Sequence, residues 1–313
     1  MKGVLNSFEQ GFIRLNLLFL KRYEQNIGDN MSTKLFDKAM ERDFEHFFAE
    51  DDLSRNHSYI QSLPMDKVDC SLKIKDDLVL AGLPYFFGAF NYLGANLQIE
   101  EHLSFEGKKF KKEDQSMLSF ELPFALALTG ERIALNLLQR ASSIATFTNK
   151  FSELAKETNT KILDTRKTTP GLRGLEKYAV RIGGGFNHRL GQSDMWMVKD
   201  NHKSFFGGVK PAVEYFQSMN GFYTPIEVEI HDLVELEDCF GLGVKHFMLD
   251  NFSPDDIKKA IAMKPAGVTF EVSGGIRLNT IEKYLIPGVD AISIGSMTYD
   301  APAVDLSLKY KRS

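Results

Sequence analysis

The sequence predicts an α/β protein whose C-terminal half is an α/β barrel. Strands are indicated by six short apolar runs whose starts lie 20 to 35 residues apart, at 161–164, 195–199, 226–230, 246–250, 269–273 and 291–295. Amphipathic helical stretches fill several of the gaps, at 233–241, 254–263 and 279–285. Strand–helix–strand repeats at this spacing predict parallel strands joined by right-handed crossovers. Because at least six units occur without a dinucleotide-binding fingerprint, the pattern favours a barrel over a doubly wound sheet.

The N-terminal half has a different pattern. Residues 1–50 carry apolar side chains at three- and four-residue steps, which predicts helices, with a break near residues 28–30. Short apolar or alternating runs separated by polar turns predict a small antiparallel sheet, at 78–84, 97–103 and 117–122. Residues 123–155 are typical of one long helix, in which Gly130 is a candidate break.

Composition excludes several classes of protein. The chain has 313 residues, 43% of them hydrophobic, and a net charge of -4, so no global basic field recruits nucleic acid. No apolar run approaches the roughly 20 residues that span a bilayer, and no small-residue cleavage site follows the N-terminal run. Cys70 and Cys239 match no metal-ligand spacing and are interpreted as free thiols. We therefore expect a cytoplasmic protein without nucleic-acid or membrane partners.

Polar side chains follow the apolar core of every predicted barrel strand. At a single strand such charges could simply mark where the chain reaches solvent, but six in succession indicate a site at the carboxyl ends of the strands. A cationic group suited to a small polyanion comprises Arg166, Lys167, His188, Arg189 and Lys199. Opposite it, Glu229 and Asp250 suit a divalent metal or sugar hydroxyls. The remaining histidines His57, His102, His231 and His246 are interpreted as ordinary surface or core residues.

The last two predicted strands end in glycine motifs. Ser273-Gly274-Gly275 and Gly295-Ser296 are similar to the phosphate site that barrels place after their final strands, where backbone N–H groups can approach a phosphate closely. A polyanion, a metal and a phosphate together indicate a phosphorylated sugar substrate. The sequence has no G-x-x-x-x-G-K-[ST] loop, which argues against nucleotide-dependent kinases, and no dinucleotide fingerprint, which argues against dehydrogenases.

A long stretch resembles the signature of quinolinate phosphoribosyltransferases: "DTRKTTPGLRGLEKYAVRIGGGFNHRLGQSDMWMVKDNH" at 164–202. Supporting blocks keep the family order, namely "AGLP" (81–84), "ERIALNLLQRASSIAT" (131–146), "IEVEI" (226–230), "MLDNFS" (248–253), "EVSGGI" (271–276) and "DAISIGSMT" (290–298). The resemblance covers residues 45–310. It implies an N-terminal α/β sandwich, an irregular C-terminal α/β barrel, and a homodimer or dimer-based oligomer with shared active sites.

The resemblance also implies an activity: quinolinate and phosphoribosyl pyrophosphate, with Mg²⁺, give nicotinic acid mononucleotide, pyrophosphate and carbon dioxide in NAD biosynthesis. The family's quinolinate site falls on Arg132, Arg166, His188, Arg189 and Lys199. Its phosphoribosyl pyrophosphate side falls on Lys167, Lys199, Glu229, Asp250, Ser273, Gly274, Gly275, Gly295 and Ser296. Among these residues, Lys167, Lys199, Glu229 and Asp250 are the expected catalytic set, and Glu229 and Asp250 are expected to hold Mg²⁺ directly or through water.

The resemblance suggests a domain organisation with four parts. Residues 1–40 form an added helical segment without a family counterpart, 41–150 the sandwich, 151–298 the barrel, and 299–313 a segment that packs back on the N-terminal domain. One site position departs from the family, because Tyr299 stands where a histidine is usual and brings no positive charge to the sugar phosphate. Two alternatives remain open: a same-fold phosphoribosyltransferase acting on another aromatic acid such as nicotinate, and a non-catalytic barrel that binds an anion.

Overall fold

The computed structural model describes residues 31–51, 57–112, 114 and 118–312. The N-terminal part begins with helices, and the predicted helix before residue 28 and the break near residues 28–30 lie outside the described residues. Its elements in chain order are α1 (Met31–Glu50), α2 (His57–Ser62), β1 (Lys67–Ile74), β2 (Leu78–Val79), α3 (Leu83–Tyr92), β3 (Lys109–Phe110), β4 (Ser119–Pro123) and α4 (Phe124–Ala155).

A three-stranded antiparallel sheet forms the base of this part. Strand β1 alternates buried Val68, Cys70 and Leu72 with outward polar residues, so one face of the sheet packs on a core. Its neighbours are β4 on one side and, on the other, the last strand of the chain, β11 (Leu306–Arg312). Because β1 pairs with residues more than 230 positions away, as Val68 does with Arg312, the C-terminus is anchored to the N-terminal sheet.

A buried carboxyl group joins the N-terminal part to the barrel. Glu106 accepts hydrogen bonds from the amides of Gly82 and Leu83, at 2.7 and 3.0 Å, at the start of α3. It also accepts from the hydroxyl of Tyr178, at 2.9 Å, on a barrel helix. Although its stem is half-buried, the carboxyl group itself is enclosed, and burial raises the pKa of Glu106 to about 7 against the opposing effect of the three donors.

The C-terminal half is the predicted parallel sheet with helical crossovers. Its strands are β5 (Lys161–Leu163), β6 (Trp196–Val198), β7 (Ile226–Ile230), β8 (His246–Asp250), β9 (Thr269–Ser273) and β10 (Ala291–Ser293). Its helices are α5 (Arg173–Ile182), α6 (Asp200–Phe206), α7 (Val209–Met219), α8 (Leu233–Phe240), α9 (Pro254–Met263) and α10 (Ser296–Tyr299). All six predicted strands are confirmed.

The sheet order is β5-β10-β9-β8-β7-β6, and every neighbouring pair is parallel. Strand β7 is buried at all five positions, as expected for a strand covered on both faces. Within the ladders described, β5 and β6 are both edge strands, so the barrel is irregular rather than fully hydrogen-bonded. The carboxyl ends of all six strands point the same way, which brings the residues that follow them to one mouth.

Four sequence predictions about local structure are wrong. Residues 281–284 form a short 3₁₀ turn rather than the predicted α-helix, since Pro287 and Gly288 follow closely and leave no room for further turns. Residues 97–103 form 3₁₀ turns instead of a strand. In the run 78–84 only two residues are strand before α3 begins. Gly130 does not break α4, because its missing side chain allows Phe90 to pack against the helix backbone.

Two further expectations concern membranes and thiols. Among the described helices, none is long and apolar enough to cross a membrane. Cys70 and Cys239 are free and buried, and burial raises the pKa of each thiol to about 12. Both side chains therefore pack as small apolar groups, as the sequence indicated.

Candidate active site

The predicted site residues follow the strands into the barrel mouth, with one exception described below. They come from the loops after β5 and α5, from the carboxyl ends of β6 to β9, and from the junction of β10 with α10. The residues are Arg166, Lys167, His188, Arg189, Lys199, Glu229, Asp250, Ser273, Gly274, Gly275, Gly295 and Ser296. Parallel strands with aligned carboxyl ends explain why positions up to 130 residues apart can share one mouth.

Two predicted arginines, Arg166 and Arg189, lie close enough in this mouth for their charges to interact. Arg189 is half-buried and donates from Nη1 to the carbonyl of Met195 at 2.8 Å. Burial lowers the pKa of Arg189, and the positive charge of Arg166 lowers it further. The Nε of Arg166 is buried and, among the described residues, has no hydrogen-bond partner. Two close cations with an unpaired donor fit an anion with more than one carboxylate.

Glu229 and Asp250 face each other from the neighbouring strands β7 and β8. Glu229 accepts from the ammonium of Lys199 at 2.8 Å, and its side chain is only 11% exposed. Burial raises the pKa of Asp250, and the negative charge of Glu229 adds to that effect. Asp250 also accepts from the side chain of Asn251 at 2.7 Å. The two carboxylates form a concentration of negative charge beside Lys199.

His231 contacts this acidic group, although the sequence interpretation treated it as an ordinary residue. Its Nε2 pairs with Asp200 and lies 3.6 Å from Glu229, while Nδ1 lies 3.9 Å from Asp250. Asp200, Glu229 and His231 offer ligand atoms within 4.8 Å of one another. Their oxygen donors, with those of Asp250, suit a hard divalent cation. His231 follows Glu229 by two residues along the chain. This spacing is the one sequence signal that could have indicated a role for His231 in the site.

The glycine motifs open the backbone beside these carboxylates. Gly274 has φ +100°, and a Cβ there would collide with the side chain of Asn251, so only glycine fits. A Cβ on Gly275 would meet nothing within 4 Å, whereas one on Gly295 would lie 3.0 Å from Lys167 Cδ. The Oγ of Ser296 is buried without a partner in the described part of the chain. This arrangement leaves backbone N–H groups and a hydroxyl for an oxyanion.

His188 points into the barrel rather than into open solvent. Its Nε2 lies 3.2 Å from a carboxylate oxygen of Glu227 on β7 and 3.4 Å from one of Glu271 on β9. The amide of Arg189 donates to Nδ1 at 2.7 Å. Burial lowers the pKa of His188, but the two carboxylates outweigh it and raise the pKa to about 10. Glu271 carried no predicted role, and its position within "EVSGGI" gave no separate signal.

A buried ion pair supports the loop that carries His188. Asp164 accepts from the ammonium of Lys177 at 2.5 Å, from Asn187 Nδ2 at 2.6 Å and from the His188 amide at 2.8 Å. The ammonium of Lys177 also donates to the carbonyl of His188 at 3.2 Å. Lys177 was not predicted, yet it lies three residues before the buried Val180 on the inner face of α5.

Arg132 is the exception among the predicted residues. It is exposed on α4, and within the described residues it makes no hydrogen bond or ion pair with any other predicted site residue. Tyr299 is 56% exposed and lies beside Gly295. A Cβ on Gly295 would lie 3.0 Å from the ring of Tyr299.

Comparison with sequence families gives two adjoining matches. The family described as "Quinolinate phosphoribosyl transferase, N-terminal domain" matches residues 58–142, and the corresponding C-terminal domain matches residues 144–309. The chain is 37% identical over 265 residues to a probable nicotinate-nucleotide pyrophosphorylase (carboxylating) of Bacillus subtilis, covering 84% of this chain and 90% of that protein. It is 37% identical over 244 residues to the human nicotinate-nucleotide pyrophosphorylase (carboxylating), covering 76% and 81%.

Solved structures are similar over the same range. The crystal structure of NadC from Streptococcus pyogenes superposes with a TM-score of 0.77 at 33% identity, covering 88% of this chain and 98% of that chain. The nicotinate-nucleotide pyrophosphorylase from Francisella tularensis superposes with a TM-score of 0.77 at 32% identity, covering 88% and 97%. The predicted architecture, an N-terminal sheet domain followed by a barrel, is therefore confirmed.

Proposed function

The chain belongs to the quinolinate phosphoribosyltransferase family, and from that premise we propose how its active site works. The protein is a decarboxylating phosphoribosyltransferase of NAD biosynthesis. It transfers the phosphoribosyl group of phosphoribosyl pyrophosphate to quinolinate and releases nicotinic acid mononucleotide, pyrophosphate and carbon dioxide.

The adjacent guanidinium groups of Arg166 and Arg189 carry this proposal. Quinolinate has two neighbouring carboxylates, and a dianion of that shape can be desolvated only where several cations converge. The buried, unpaired Nε of Arg166 supports such a ligand, because an orphaned donor next to a second arginine is costly without an anion. Lys199, which donates a hydrogen bond to Glu229, joins the quinolinate side to the sugar side.

The sugar substrate binds along the other half of the mouth. Gly274, Gly275 and Gly295 leave backbone N–H groups accessible to phosphate oxygens, and Ser273 and Ser296 add hydroxyls. Lys167 lies beside Gly295 and supplies positive charge for the phosphates. Tyr299 can donate one hydrogen bond there but no charge, so phosphate binding depends more heavily on Lys167.

Glu229 and Asp250 act on the transition state. As the bond from C1 of the ribose to pyrophosphate lengthens, C1 becomes oxocarbenium-like, and two carboxylates from neighbouring strands stabilise that positive charge. Their oxygens fit Mg²⁺, which they would hold directly or through water, and the bound ion would neutralise the charge of the leaving pyrophosphate. The ring nitrogen of quinolinate then forms the new bond to C1.

The decarboxylation that follows needs no redox partner. Once its nitrogen is glycosylated, the pyridine ring is cationic. The bond to the adjacent carboxylate breaks, its electron pair flows toward the ring, carbon dioxide departs and a proton takes its place. The role of the protein is to keep that carboxylate desolvated, since the low dielectric of the closed mouth favours loss of the charge.

We also propose a homodimeric enzyme with shared sites, located in the cytoplasm. Arg132 on α4 is exposed and apart from the other cations of its own chain, which supports a role in the mouth of a partner subunit. The two buried free thiols are consistent with a reducing compartment.

Substrate selection tests the proposal. We expect quinolinate to be used at least about a hundredfold better than nicotinate, because leaving one buried cation unpaired costs about 2–5 kcal/mol and each 1.4 kcal/mol is about tenfold. Release of pyrophosphate and carbon dioxide from the purified protein measures both reactions. Equal kcat/KM for the two acids would refute the assignment of a dicarboxylate pocket.

A further inference from the structure

The imidazole of His188 bridges strands that are not neighbours. Glu227 lies on β7 and Glu271 on β9, with β8 between them, and one oxygen of each carboxylate reaches the same ring nitrogen. The side chains of His188, Glu227 and Glu271 are only 8%, 4% and 8% exposed. These three residues, which we name the floor triad, lie inside the barrel beneath the cationic mouth.

Neither nitrogen of the ring is left for a substrate. Nε2 is engaged by the two carboxylates, and the amide of Arg189 donates to Nδ1. Because Nδ1 accepts a hydrogen bond, the N–H that faces the two carboxylates is on Nε2. The ring of His188 is therefore fixed by partners within the chain, and Arg189 follows it directly in the loop.

Two buried carboxylates placed together need a proton or a cation between them. Burial raises the pKa of Glu227, and the charge of Glu271 raises it further, while His188 and the more distant His246 oppose both effects. The Nε2 of His188 lies between the two carboxylates, at 3.2 and 3.4 Å, and its N–H holds them together.

The loop above the triad carries the arginine that faces the substrate. His188 is fixed by its ring to the barrel floor and by its amide to Asp164. The next residue, Arg189, is tied through its amide to the same ring and through Nη1 to Met195. The imidazole therefore anchors the backbone of Arg189, and the guanidinium extends from that anchored position to the carbonyl of Met195.

We propose that Glu227 and Glu271 are positioning residues for quinolinate: they clamp the ring of His188 and, through it, aim Arg189 at a carboxylate of the acid. This inference rests on the proposed function of the mouth. It assigns a specificity role to two carboxylates that never touch the substrate.

Quinolinate binding to the intact protein tests the proposal. Glu271→Gln keeps the shape of the side chain but weakens the charge-assisted bond, and we expect quinolinate Kd to rise about tenfold or more while the Kd of phosphoribosyl pyrophosphate is unchanged. Glu227→Gln should give the same pattern and serves if the first variant folds poorly. Glu106→Gln removes an equally enclosed carboxylate that bonds Gly82, Leu83 and Tyr178, none of them a predicted site residue. It therefore controls for lost stability and should leave both affinities unchanged.

A double-mutant cycle separates positioning from general damage. In an Arg189→Ala background, Glu271→Gln should have little further effect on the quinolinate Kd. In an Arg166→Ala background, Glu271→Gln should still raise the quinolinate Kd about tenfold or more. An equal loss in both backgrounds overturns the proposal, as does wild-type affinity in Glu271→Gln. A tightly held stoichiometric metal that disappears in Glu271→Gln would also overturn it, because the cluster would then be a metal site.

A spectroscopic measurement tests the floor triad independently of the proposed function. Proton NMR should detect one strongly downfield imidazole N–H that is absent in His188→Gln and shifted upfield in Glu271→Gln. If wild-type protein does not bind quinolinate but this resonance behaves as expected, the proposed function fails while the floor triad stands. If the resonance is unaffected by Glu271→Gln, the triad itself is refuted.

Discussion

Replacing Asp164 by asparagine should leave the buried ammonium of Lys177 without an opposite charge. The carboxylate accepts from Lys177, Asn187 and the amide of His188, at 2.5 to 2.8 Å, and the side chain of Lys177 is 3% exposed. An asparagine keeps one acceptor and turns an NH₂ group toward one of these donors. Breaking a buried pair from one side costs about 3–5 kcal/mol, and we expect Asp164→Asn to lower the free energy of unfolding by that amount.

Urea unfolding followed by tryptophan fluorescence measures the effect. The single tryptophan, Trp196, lies in β6 against Phe216, so its emission reports on the barrel. Glu153→Gln is the matched control, because Glu153 also pairs with a lysine, Lys109 at 3.0 Å, but both side chains are more than half exposed. An exposed pair contributes about 0–1 kcal/mol. If the two variants lose the same free energy, burial is not what makes the Asp164 pair important.

The partner residue provides a second check. Lys177→Met leaves Asp164 as an unpaired buried carboxylate, and it should also be strongly destabilising. The double variant Asp164→Asn/Lys177→Met leaves no buried charge at this position, so its loss should be clearly smaller than the sum of the two single losses. Simple additivity would contradict the assignment of one shared ion pair.

Three further predictions concern pH, subunit exchange and turnover. Burial raises the pKa of Glu106 from its ordinary 4.5 to about 7, so the native state binds the proton of this group more tightly than the unfolded state does. The contribution of Glu106 to the free energy of unfolding is therefore fully present below pH 4.5 and falls by about 3 kcal/mol as the pH rises to 7. The free energy of unfolding of Glu106→Gln, measured across that range, should not show this dependence on pH. If the dependence is unchanged in the variant, another group causes it. Mixing inactive Arg132→Ala with inactive Lys199→Ala protein should restore activity once subunits exchange, whereas confirmed exchange without activity excludes a shared site. Glu229→Ala and Asp250→Ala should lower kcat far more than they raise either KM, because the charge they stabilise exists only in the transition state; wild-type kcat in both would end that role.

Repeating patterns made the barrel predictable from sequence. The six strands were recognised because short apolar runs recur at regular spacing, although β5, β6 and β10 are only three residues each. Helices α8 and α9 have clear amphipathic spacing, with Asp232 and Ser253 capping their first turns. The small N-terminal sheet was harder, because β2 and β3 are two residues each. Strands that short have no periodicity to detect.

Partner choice within the site was not visible in the sequence. Glu227 and Glu229 share a face of β7, yet one is part of the floor triad and the other reaches Lys199 at the mouth. His231 was interpreted as an ordinary residue because its partners lie far away in the sequence, Asp200 at the start of α6 and Asp250 at the end of β8. The register of the parallel sheet, rather than any local motif, brings those groups within reach.

The sequence by itself determined the fold class, the family, and the cations, carboxylates and glycines of the mouth, because these depend on local periodicity and on short motifs in a fixed order. Only the tertiary structure decided that His188 is turned into the barrel between Glu227 and Glu271, that Lys177 is the buried partner of Asp164, and that Arg132 is apart from the other cations of its chain. Charge pairing depends on distance and burial in three dimensions, and neither is encoded in the spacing of residues along the chain.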